Sequence, residues 1–92
     1  MSDYYKTLQV DPEASPEVIE KAYKALSLKY HPDKQPSEKK EEATHRWMQI
    51  REAFEILSDA KRRSEYDVSR REEAIGTFLN EGLIGLYKRY VK

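Results

Sequence analysis

The residues whose types and spacing could support chemistry lie in one short stretch, KYHPDKQP, at positions 29–36. It holds His31, one of only two histidines in the chain, and Asp33, two residues later. Together with His45 they could ligate a divalent ion, since imidazole and carboxylate groups are common metal ligands. The spacing matches no recognised ligand motif, so we expect no metal site.

The same two side chains could instead form a dyad for proton transfer. A catalytic site also needs a nucleophile or a substrate pocket, and the chain has no cysteine and no glycine-rich loop to hold a phosphate. We therefore expect no catalytic residue, no cofactor and no enzymatic activity. Two interpretations of the stretch stay open: Pro32 stops a helix while Asp33 caps a turn, or the loop is a surface presented to another protein.

The length and composition of the chain restrict the number of domains and the classes of partner that it can bind. A chain of 92 residues makes one small domain, which buries roughly 60–65% of the surface exposed in its unfolded form. Seventeen basic and seventeen acidic residues cancel, so we expect neither a nucleic-acid nor a membrane partner. The absence of cysteine fits a reducing compartment, and neither a signal peptide nor a long apolar run is present. We predict a cytoplasmic monomer.

Helix signals surround the loop. A short helix is predicted over about 3–9, and Ser15, Pro16 and Glu17 then supply an N-cap, a first-turn proline and a first-turn acid. An apolar stripe runs from there to Tyr30, and Pro32 disfavours helical geometry just beyond it. These signals predict a helix over about 16–30.

A second, longer helix is predicted over about 38–57, because apolar residues recur there at spacings of three and four, and a short basic helix over about 60–66 follows it. The predicted fold is all-α: an antiparallel helical hairpin flanked by short helices. The residues expected in its core are Tyr5, Leu8, Ile19, Leu26, Trp47, Ile50, Phe54 and Leu57.

Four sequence blocks occur together in a characteristic order. They are DYYKTLQV, AYKALSLKY, HPD and IREAFEILSDAKRRSEYD, and they span about 3–67. This arrangement closely resembles the J-domain of DnaJ-type, heat-shock forty-kilodalton co-chaperones. HPD alone would be a weak signal, but the ordered set is specific.

The resemblance implies that the chain docks on a DnaK-class, seventy-kilodalton heat-shock chaperone and stimulates its ATP hydrolysis. Pro32 would stiffen the loop, Asp33 would pair with an arginine of the chaperone, and His31 would brace the loop or touch the partner. Tyr23 is equally compatible with packing inside the hairpin. The residues that the resemblance assigns to chaperone binding are His31, Pro32, Asp33, Lys21, Lys24, Tyr23, Lys34 and Arg51.

The chain departs from the family pattern at several positions. Gln9 replaces the usual glycine after the first helix, and Trp47 stands where phenylalanine is usual. Glu20 and Ala25 occupy positions that are often basic, and Met48 one that is commonly lysine. The missing basic residues at positions 20, 25 and 48 predict a docking face with less positive charge than is usual in the family.

The last 24 residues exceed a minimal J-domain. We predict a J-domain over 1–68 and a C-terminal extension over 69–92 that is helical, although Gly76, Gly82 and Gly85 weaken it. Client proteins would be bound by regions outside the J-domain. The alternative function is a J-like scaffold without ATPase stimulation that acts through this extension. A nucleic-acid binder using the basic run at 61–63 is disfavoured by the balanced charge.

Overall fold

The structure, a computed structural model, describes the backbone of residues 3–90 and the side chains of residues 3–76. Over that part of the chain it contains helices and no strand, which confirms the predicted all-α fold. Two short 3₁₀ turns, Pro32–Lys34 and Ser37–Lys39, lie between the second and third helices. The α-helices are α1 (Tyr4–Thr7), α2 (Pro16–Tyr30), α3 (Lys40–Leu57) and α4 (Ala60–Tyr90).

Helix α2 begins and ends where its sequence signals predict. The Ser15 side chain accepts a hydrogen bond from the Val18 amide at 3.3 Å, and Pro16 occupies the first turn. The helix ends at Tyr30, immediately before His31 adopts non-helical angles ahead of Pro32. Helix α3 begins at residue 40 rather than 38, because residues 37–39 form a 3₁₀ turn instead.

The core lies where α1, α2 and α3 meet. Burying one large apolar side chain contributes about 1.5–3 kcal/mol, so the cluster of buried side chains in this core supplies most of the stability of the domain. Phe54 is half-buried and stacks on Tyr23, with ring centroids 4.0 Å apart. Trp47, expected in the core, lies outside the cluster and is partly exposed, because its position on α3 faces the loop rather than α1. The buried residues are Tyr5, Leu8, Ile19, Leu26, Ala43, Ile50, Ala53, Leu57 and Tyr66.

Helix α4 is much longer than the predicted helix over 60–66. Its N-terminus is capped by Asp59, whose carboxylate accepts a hydrogen bond from the Arg62 amide at 3.0 Å, and the helix runs without a break to Tyr90. The predicted helix over 60–66 and the predicted helical extension over 69–92 form one continuous helix as far as Tyr90, because residues 61–75 contain neither proline nor glycine and one glycine at position 76 costs a helix only about 1 kcal/mol. Gly82 and Gly85, predicted to weaken the extension, lie beyond the residues whose side chains the structure describes. The domain division at 68 stays a prediction.

A polar network joins α1 to α4. The Tyr5 hydroxyl donates to the Asp67 carboxylate and accepts a hydrogen bond from the Arg63 guanidinium at 3.1 Å. That guanidinium also donates to the carbonyls of Pro12 and Ala14, at 3.1 and 2.7 Å. Burial raises the pKa of the Tyr5 hydroxyl, and the hydrogen bond to Asp67 raises it further, against an opposing effect of Arg63. Arg63 thereby ties the α1–α2 loop to α4.

Helix α1 ends in a Schellman motif closed by Gln9. The Gln9 amide donates to the Lys6 carbonyl and the Val10 amide to the Tyr5 carbonyl, both at 3.0 Å. Gln9 has a φ of 58°, the only positive φ among the described non-glycine residues. This is the left-handed backbone that glycine adopts without strain. The departure noted in the sequence therefore falls where a side chain is costly.

Candidate functional site

The loop after α2 is an ordered turn. Its 3₁₀ geometry is closed by the Lys34 amide donating to the His31 carbonyl at 3.0 Å and by the Gln35 amide donating to the Pro32 carbonyl at 3.2 Å. The Gln35 side chain also donates to the Lys29 carbonyl at 2.8 Å, one of the last carbonyls of α2. These bonds fix the loop to the helix end, so its direction is set before any partner arrives.

His31 braces the turn, and Asp33 extends from it. The His31 Nδ1 atom accepts a hydrogen bond from the Asp33 amide at 3.2 Å, which requires that nitrogen to be unprotonated. The Asp33 carboxylate lies 3.8 Å from the same nitrogen, too far for a hydrogen bond, and its side chain is 87% exposed. The Asp33 carboxylate is therefore an exposed negative group that accepts no hydrogen bond from the other described residues.

Trp47 supports the loop from α3. Its ring centroid lies 5.8 Å from that of His31, and the two planes are inclined at 58°. The Arg51 guanidinium, one turn further along α3, lies 5.1 Å from the Trp47 ring centroid, within the range of a cation–π interaction. The sequence interpretation assigned Trp47 to the core and missed this role. The i, i+4 spacing of Trp47 and Arg51 was the signal available.

The basic residues of α2 lie on its outward face. Lys21 and Lys24 are both exposed, and Lys24 forms an ion pair with Glu20 at 3.1 Å. Lys34 is exposed within the loop itself. Tyr23 points the other way, into the stack with Phe54 described above, and is half-buried. The two α2 lysines and the loop residues Asp33 and Lys34 are therefore open to solvent, whereas Tyr23 lies between α2 and α3.

An apolar side chain on this face was not singled out from the sequence. Leu28 is 61% exposed and lies one helical turn after Lys24 and two after Lys21. It sits about 5 Å along the helix axis from His31, at 1.5 Å per residue. The available signal was a leucine off the apolar stripe, since Leu26 already occupies the buried position.

The chemistry available at this site is that of a protein-binding surface. Over residues 3–76, the histidine, aspartate and glutamate side chains form no group of three placed to hold a metal ion. The site instead offers the exposed Asp33 carboxylate and Lys34 on the braced turn, with Lys21, Lys24 and Leu28 exposed on α2. No helix in the part of the chain that the structure describes is long and apolar enough to cross a membrane.

Comparisons with known proteins identify the family of the domain. The family model described as the DnaJ domain matches residues 3–67. Human DnaJ homolog subfamily B member 3 is 58% identical over 67 residues, which cover 73% of this chain and 46% of that protein. Human DnaJ homolog subfamily B member 6 is 56% identical over 72 residues, covering 78% of this chain and 22% of that protein.

The fold has a solved counterpart. The solution structure of the J-domain of a mouse DnaJ-like protein superposes with a TM-score of 0.68 at 33% identity, covering 74% of this chain and 77% of that one. The chain spans less than half the length of the curated relatives named above. The family match includes α1, α2, α3 and the first two turns of α4, with the HPD loop at its centre. The chain therefore belongs to the DnaJ domain family.

Proposed function

We propose that this chain is a co-chaperone module that binds a DnaK-class heat-shock chaperone and stimulates its ATP hydrolysis. Contact would be made through the His31-Pro32-Asp33 loop and the basic outer face of α2. The observation that carries the proposal is the Asp33 carboxylate, 87% exposed on a turn that other residues hold in place. Membership in the DnaJ domain family supports the class of partner.

A rigid loop favours binding because little conformational freedom is lost on docking. Pro32 has a fixed φ, and the His31 ring is held by the hydrogen bond to the Asp33 amide and by the Trp47 ring. The loop can therefore present the carboxylate to a guanidinium of the chaperone without first being ordered. Truncating one partner of such a charge pair, once it is buried in an interface, costs about 2–5 kcal/mol.

The lysines act over a longer range. Lys21, Lys24 and Lys34 are exposed on α2 and in the loop, and their positive charge would attract an acidic surface before contact. Exposed pairs of this kind raise the rate of association more than they slow dissociation. In this mechanism the lysines bring the partners together, and Asp33 makes the contact on which stimulation depends.

The test is single-turnover ATP hydrolysis by a DnaK-class chaperone with and without the chain. We expect stimulation by the wild type and its loss in Asp33→Asn, at unchanged helicity by circular dichroism. The matched control is Glu55→Gln, because Glu55 is exposed on α3, two turns beyond Trp47, and forms no hydrogen bond or ion pair with the other described side chains. Equal stimulation by Asp33→Asn and wild type would refute the loop mechanism.

A further inference from the structure

The outward face of α2 carries an ordered series of groups. Glu17, Glu20, Lys21, Lys24 and Leu28 follow one another at helical spacing and are all exposed. The series is acidic near the helix N-terminus, basic in the middle and apolar beside the loop. A partner that meets this face therefore encounters negative charge next to the lysines proposed to attract it.

Glu20 is bound directly to one of those lysines. The Lys24 Nζ atom lies 3.1 Å from Glu20 Oε1, and the two side chains are 69% and 56% exposed. A glutamate four residues before a lysine is the favourable order for such a pair on a helix. The contact draws the ammonium towards the N-terminus of α2, away from the loop and from Leu28. Lys21 has no ion-pair partner among the described residues.

We propose that Glu20 attenuates the docking face: it restrains Lys24 and thereby slows association with the chaperone. The inference rests on the function proposed above and deepens it. A carboxylate on the partner must compete with Glu20 for the Lys24 ammonium. Lys24 would then contribute less to docking than an unpaired lysine, and docking would depend more on Lys21, Leu28 and the loop.

The expected size of the effect of Glu20 on the association rate follows from the solvent exposure of the Glu20–Lys24 pair. Both groups are well solvated, so the contact is weak and exchanges readily, and Glu20 lowers the local potential without blocking the site. We expect its neutralisation to raise the association rate constant about two- to fivefold at low ionic strength. The gain should fade as added salt shortens the Debye length to about 3 Å near 1 M.

The experiment measures association of the full chain with an ATP-loaded DnaK-class chaperone by stopped flow over a series of salt concentrations. Four proteins are compared: wild type, Glu20→Gln, Lys24→Gln and the double variant. Glu17→Gln is the matched control, since it removes the same charge from the same face but breaks no ion pair with a described residue. Glutamine and glutamate have similar helix propensities, so α2 should persist in each case.

The proposal expects faster association in Glu20→Gln, little gain in Glu17→Gln, and no gain from the Glu20 change when Lys24 is already glutamine. Equal gains in the two single glutamate variants, or a gain that persists without Lys24, would mean that only net charge matters and would overturn the inference while leaving the proposed function intact. Failure of every protein, wild type included, to bind the chaperone or stimulate its ATPase would overturn both.

Discussion

Replacing Gln9 by glycine should stabilise the domain. Gln9 closes the Schellman motif after α1 with a φ of 58°, and a non-glycine residue in the left-handed region costs about 1–2 kcal/mol. Its side chain is exposed and forms no hydrogen bond with the other described residues, so the substitution removes strain and little else. Against this, glycine makes the unfolded chain more flexible by about 0.4–1 kcal/mol.

The balance is a gain of about 0.5–1 kcal/mol in the free energy of unfolding, or about 2–8 °C in Tm for a domain of this size. Thermal and urea unfolding followed by circular dichroism would measure it. Two controls isolate the cause. Gln9→Ala keeps a Cβ in the left-handed region and should gain almost nothing, and Gln49→Gly, on the exposed side of α3, should lose about 1 kcal/mol.

A Gln9→Gly variant no more stable than the wild type, or a Gln9→Ala variant equally stabilised, would refute this reasoning. Either result would mean that the positive φ carries no strain at this position. ATPase stimulation should be unchanged at saturating concentration in the glycine variant, because Gln9 follows α1 and is not one of the residues proposed to contact the chaperone. A change in both stability and stimulation would point to coupling between α1 and the docking face.

Two further predictions concern the network between α1 and α4. Arg63→Ala removes three hydrogen bonds, two of which, to the Tyr5 hydroxyl and the Ala14 carbonyl, are partly buried, so the free energy of unfolding in urea should fall by about 2–3 kcal/mol. Arg62→Ala, at the exposed neighbouring position, should change it by no more than about 0.5 kcal/mol, and equal losses would contradict the role of the Arg63 contacts. The pKa of Tyr5 is raised from 10.0 in the folded state, so its contribution is complete below pH 10.0 and is lost as the pH rises through the folded-state value. As the pH rises from 10.0 towards that folded-state value, Tm should therefore fall less steeply in Tyr5→Phe than in the wild type, and parallel curves over this range would contradict the reasoning.

Local signals predicted the hairpin well because each acts over a few residues. Ser15 and Pro16 set the start of α2, Pro32 sets its end, and the spacing of Ile19 and Leu26 selects its buried face. Each of these effects depends on backbone sterics or on periodicity, which a sequence displays directly. The J-domain resemblance, by contrast, required the order of whole blocks and could not have come from periodicity.

The sequence-based predictions failed where the position of a side chain or the end of a helix depends on more than the local pattern. Periodicity places Trp47 on the same stripe as Ile50, but the stripe is wider than the core, and position 47 faces the loop. The break predicted between the helix over 60–66 and the helical extension is absent, because residues 67 and 68 carry no stop signal. The pair of Glu20 with Lys24 has a spacing visible in the sequence, yet only side-chain placement shows that it forms.

The contact between Trp47 and His31 also makes the loop observable. Trp47 is the only tryptophan in the chain, and its ring lies 5.8 Å from the His31 ring, between the proposed docking loop and Arg51. Its intrinsic fluorescence therefore comes from one place, beside the residues that would meet the chaperone. Movement of the loop and arrival of a partner can each be followed on the unlabelled protein, and a His31→Gln variant supplies the reference spectrum.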